Sequence, residues 1–116
     1  MQVQVHTDNH IHGSAELSSR VEDEVSGTLE RFGEQITRVE VHLNDVNGPK
    51  GGEDDLRCMM EARLAGHQPI AVTHRAAALD EAITGAVEKL ERSLDHTLGR
   101  LGHKKGRTSF GGDQEI

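Results

Sequence analysis

One apolar period, the longest in the chain, limits the fold more than any other feature. Leu79, Ala82, Ile83, Ala86, Val87, Leu90, Leu94, Leu98 and Leu101 recur every three or four residues, the spacing that gathers side chains into one stripe of an α-helix. This predicts a helix from about Ala76 to Leu101. A helix with one apolar stripe must bury that stripe against another layer. The rest of the chain therefore has to supply a surface for it.

Alternating segments supply that surface. In Gln2 to His6, Val3 and Val5 share one face, as a half-buried strand requires. Between about Ile36 and Asn44, Val39, Val41 and Leu43 point inward and Arg38, Glu40 and His42 outward. From Leu56 to Ala65, Leu56, Cys58, Met60, Ala62 and Leu64 share a face, and Gln68 to His74 forms a fourth strand whose Pro69 suits a sheet edge. The turn-rich Asp45 to Asp55 joins the second strand to the third, and Gly66 with His67 turns the third into the fourth. A further helix runs from the N-cap Ser14 to Gly33, with Leu17, Val21, Val25, Leu29 and Phe32 as its apolar stripe.

The order β-α-β-β-β-α predicts an α+β fold, a two-layer sandwich of a four-stranded sheet with both helices on one face. A right-handed crossover makes the first two strands parallel, and strands two to four form an antiparallel meander. The other sheet face is left exposed and mixed in charge. Residues 1–101 form one domain in this reading, and Gly102 to Ile116, Gly-rich and polar, form a flexible tail.

Composition narrows the function classes. A chain of 116 residues suits one core. The single cysteine, Cys58, permits no intramolecular disulfide, which points to a reducing, cytoplasmic setting. Met1 to His10 lacks an apolar signal core, and no run approaches the roughly 20 apolar residues of a membrane span. A net charge of −7 repels nucleic acid at long range. Phe32 and Phe110 are the only aromatics besides histidine, so base stacking is not how RNA would be held.

Against that acidic background the second helix carries a basic ridge. Lys89, Arg92, His96, Arg100 and His103 are spaced by three or four residues and fall within an arc of about 80°. Lys104, Lys105 and Arg107 extend the ridge. The same spacing fits an ordinary solvated face paired with Glu88, Glu91 and Asp95.

Other chemistries find less support. His6, His10 and His12 could converge with His42 across adjacent strands, but no spacing matches a zinc signature, so neither a metal nor another cofactor is expected. Cys58 falls on an inward face and reads as an inert core thiol. Gly48, Gly51 and Gly52 sit in a hairpin loop rather than between a strand and a helix, which is the wrong context for cradling phosphate. No enzyme and no small-molecule substrate is indicated.

The segment VTHRAAALDEAITGAVEKLERSLDHTL, from Val72 to Leu98, resembles the ribosome hibernation promoting factors, also known as the ribosome-associated inhibitor A family. Ala82 and Ile83, followed by Lys89, Leu90, Glu91, Arg92 and Leu94, match the A-I…K-L-x-R-x-L pattern of that family. Arg75 and the stretch TDNHIHGS before the first helix agree as well, and the likeness spans about residues 1–101. Where the family has Asp-Met-Tyr before Ala-Ile, this chain has Ala78, Leu79 and Asp80, followed by Glu81.

The resemblance is to the short form and implies a non-catalytic, cytoplasmic translation regulator acting in stress or stationary phase. Its partner would be the 30S-type small ribosomal subunit, whose decoding region such a domain occupies. Arg75, Lys89 and Arg92 match family positions that contact rRNA, and His96, Arg100, Lys104 and Lys105 are assigned from their place on the ridge. The rival reading is an acidic protein-interaction module of the same fold that does not bind rRNA.

Overall fold

The computed structural model describes residues 1–8, 11–46 and 55–103. In chain order the elements are β1 (Gln2–Thr7), α1 (Ala15–Thr28), a 3-10 turn (Glu30–Phe32), β2 (Ile36–Asp45), β3 (Leu56–Leu64), β4 (Ile70–Ala76) and α2 (Leu79–His103). The sheet order is β1-β2-β3-β4, with β1 parallel to β2 and the remaining pairs antiparallel. The α+β sandwich expected from the apolar periods is the one observed.

Local chemistry explains the element ends. Ser14 Oγ accepts the Leu17 N–H at 3.1 Å, satisfying one of the donors that a helix start leaves open. Between β3 and β4, Gly66 adopts φ of 77°, a left-handed conformation that glycine takes without steric cost. β4 lies at a sheet edge, and Pro69 precedes its first residue.

One continuous core fills the space between the layers. In the β2–β3 register, Val39 faces Ala62, Val41 faces Met60 and Leu43 faces Cys58, and all six are fully buried. Val21, Val25, Leu29 and Phe32 cover them from α1 and the following turn, and Ala82, Ile83, Ala86, Val87, Leu90 and Leu94 cover them from α2. Helix α1 lies over β1, α2 lies over β3 and β4, and the helices touch side by side.

Several boundaries differ from the sequence reading. The second helix begins at Leu79 rather than Ala76, because Ala76 is the last residue of β4, paired with Leu56 and buried. Its small apolar side chain suits either element, and strand pairing claims it. β4 correspondingly runs from Ile70 rather than Gln68, and α2 continues to His103, two residues beyond Leu101. The first helix stops at Thr28, and the chain reaches the buried Phe32 through the 3-10 turn. The expectation of a flexible tail and most of the Asp45 to Asp55 loop fall on or beyond the limits of the described residues.

α2 approaches β4 closely enough to require glycine at one position. A Cβ at Gly85 would lie 2.1 Å from Cδ2 and 2.6 Å from Cγ of His74, so the imidazole covers the helix backbone there. Gly85→Ala is therefore expected to destabilise by about 1–2 kcal/mol, overpacking outweighing the gain in helix propensity. In a His74→Ala background the same change should instead stabilise by about 0.5–1 kcal/mol. Urea unfolding of the four proteins in this cycle measures both signs, and a Gly85→Ala protein as stable as wild type would contradict the close approach.

Cys58 is fully buried, and burial, with a smaller contribution from the Glu24 charge, pushes its thiol up to about 12. Since the thiolate is the reactive form, iodoacetamide at pH 8 should label the native protein orders of magnitude more slowly than the urea-unfolded chain. The raised pKa also fixes a sign for stability. The protonated thiol's contribution is intact below the ordinary thiol range near 9 and is lost as pH climbs from there towards 12.

Candidate nucleic-acid interface

The two flanks of α2 differ in charge because they meet different neighbours. On the flank beside α1, Arg31 Nη1 lies 3.1 Å from Asp95 Oδ1 and Arg31 Nη2 lies 3.8 Å from Glu91 Oε2. Arg20 bonds Asp80, and that hydrogen bond, aided by the Asp80 charge, raises the Arg20 pKa above its ordinary value. Thr84 Oγ1 donates to Glu24 at 2.9 Å. Of the three acids that helical spacing alone would pair with the basic ridge, Glu91 and Asp95 are thus engaged from the other side, and Glu88 is exposed.

The opposite flank faces the β4 edge. There Ile70, Val72, Lys89, Arg92, Ser93, His96 and Thr97 line an open groove of ≈ 500 Å³. Lys89 Nζ donates to the Thr73 carbonyl at 2.9 Å, which pins its ammonium over the edge strand. Arg92 and His96 are exposed, and none of Lys89, Arg92 and His96 forms an ion pair with another described residue. An apolar floor bordered by unneutralised cations can accept a phosphate backbone laid along it, since backbone binding needs positive charge and shape rather than stacking.

The sequence-derived residues divide accordingly. Lys89, Arg92 and His96 come together at the groove. Arg100 lies on the same helix, and Lys104 and Lys105 lie outside the described residues. Arg75 is not part of this flank. Strand alternation turns His74 and Ala76 towards α2, and Arg75 falls on the open sheet face, opposite Arg57 of β3. Arg57, whose Nη2 donates to Asn44 Oδ1 at 3.2 Å, is a cation that the sequence reading did not single out. The alternation of β3 already turned it away from Leu56 and Cys58.

Residues 3–101 match the family model for sigma 54 modulation protein / S30EA ribosomal protein. In fold, the chain is similar to the N-terminal domain of Thermus thermophilus Protein Y, at 20% identity and a TM-score of 0.68, over 84% of this chain and 99% of that one. It is also similar to a ribosomal subunit interface protein from Coxiella burnetii, at 15% identity and a TM-score of 0.59, over 85% of this chain and 99% of that one. No curated protein sequence matches it. Among the described residues, no helix is long and apolar enough to cross a membrane.

Proposed function

The chain belongs to the sigma 54 modulation protein / S30EA ribosomal protein family, and from that premise we propose that it is a non-catalytic, cytoplasmic translation regulator of the hibernation-factor type. It binds the small ribosomal subunit in stress or stationary phase, its α2 flank lying against rRNA phosphates. The observation that carries this reading is the groove at which Lys89, Arg92 and His96 meet with no ion-pair partner among the described residues, on a protein whose net charge is −7. Segregating cations to one flank gives an acidic protein a local attraction for a polyanion, while the remaining surface disfavours nonspecific association.

Binding rests on the backbone and on shape. Among the described residues, the groove is lined by no phenyl, phenol or indole ring, so discrimination among bases is weak and the contacts position the domain rather than read sequence. Arg100, Lys104 and Lys105 are assigned as further phosphate contacts from their sequence spacing alone, and Arg75 with Arg57 offers a second phosphate contact around the β4 edge.

The rival reading, an acidic module that docks a basic protein, is favoured by the net charge and by Glu16, Glu22 and Asp23 on α1. Sedimentation of the purified chain through sucrose with small subunits separates the two. Co-migration at low salt that is lost at high salt supports the ribosome reading, and no co-migration at low salt and pH 6 would transfer the case to the protein partner.

A further inference from the structure

The open sheet face, turned away from α2, holds a group of side chains that the proposed function does not use. β1 and β2 pair in parallel with His6 directly beside His42, and Glu40 lies two residues earlier on β2, on the same face. The imidazoles of His6 and His42 stack with centroids 4.7 Å apart and planes inclined by 17°. One potential ligand atom from each of His6, Glu40 and His42 lies within 4.8 Å of the others.

We propose that His6, Glu40 and His42 form a site for a divalent transition-metal ion of the zinc, copper or nickel type. Two imidazoles and one carboxylate are ligands that such ions accept. The two oxygens of Glu40 are already divided between tasks. Oε2 bonds Arg38 Nη2 at 2.9 Å and lies 3.9 Å from Arg63 Nε, whereas Oε1 faces His42 Nε2 at 3.6 Å. The arginines hold the carboxylate in place through one oxygen and leave the other turned to the histidines, which is how outer partners orient metal ligands. At bond lengths of about 2.0–2.1 Å, ligand atoms around a tetrahedral ion stand roughly 3.3 Å apart. Small side-chain rotations therefore close the cluster, and His6 is exposed enough to make them. Water would complete the coordination on the solvent side. Since His6 is on the edge strand β1 and the other two ligands are on β2, the ion would also clip β1 to the sheet.

The test is calorimetric titration of the full chain with zinc chloride at pH 7.5, repeated on His6→Ala, His42→Ala and Glu40→Gln, with His96→Ala as a control outside the cluster. Saturable binding at one ion per chain is expected, weakened at least about tenfold by each cluster variant and unchanged in the control. Zinc should also slow amide exchange along β1, a readout that scattered surface histidines would not produce. Absence of saturable binding, or affinity retained in both His6→Ala and His42→Ala, would overturn the site. The proposed ribosome contacts include none of His6, Glu40 and His42, so sedimentation and zinc titration fail independently.

Discussion

Small-subunit binding should fall by about 60- to 250-fold when salt rises from 50 to 200 mM, and Arg92→Glu should weaken binding and make the log-log slope shallower by about one. The wild-type figure follows from about four phosphate contacts, for which the log-log slope is about −3 to −4 because each neutralised phosphate releases condensed counterions. Arg92 is exposed and forms no ion pair with a described residue, so its reversal should change stability by no more than about 0.5 kcal/mol. Adding Lys89→Glu should abolish binding, with an additional stability cost of about 0.5–1.5 kcal/mol from the lost bond to the Thr73 carbonyl. Arg92→Glu is therefore the cleaner probe. Arg31→Glu, on the α1 flank, should leave ribosome affinity nearly unchanged, because its guanidinium is engaged with Asp95 and Glu91. Equal losses from Arg31→Glu and Arg92→Glu would mean that net charge, rather than the groove, governs association.

Leu90→Ala should lower unfolding free energy by about 2–5 kcal/mol, the range for emptying a leucine site in a packed core. Leu90 is fully buried, as is Leu94 one turn later, and they anchor the stripe by which α2 covers β3 and β4. The layers are rigid around this site because β3 is paired on both sides, which limits how far a cavity can collapse. Leu98 is only partly buried against the core, so Leu98→Ala should cost less, on the order of 1 kcal/mol. A Leu90→Ala loss below about 0.5 kcal/mol, measured by urea unfolding, would show that α2 does not rest on the sheet as described.

What the sequence determined by itself was the kind of each element and the face each one buries. Helical and strand periods are local, and an apolar side chain at the right spacing has to be covered whatever its neighbours are. That is why Leu79 to Leu98 could be read as one helix stripe, and Val39, Val41 and Leu43 as one strand face. Ridge members Lys89, Arg92 and His96 were legible for the same reason. Ala76 was not, since a small apolar residue satisfies both periods and only its pairing with Leu56 assigns it to β4.

Only tertiary structure decided who meets whom across elements. Arg31 takes Asp95 and Glu91 from the ridge, Lys89 reaches over to Thr73, and His6 joins Glu40 and His42. Each of these depends on strand register or on the lateral placement of two helices. No period within one segment carries that information, because register is fixed by packing between residues far apart in the chain.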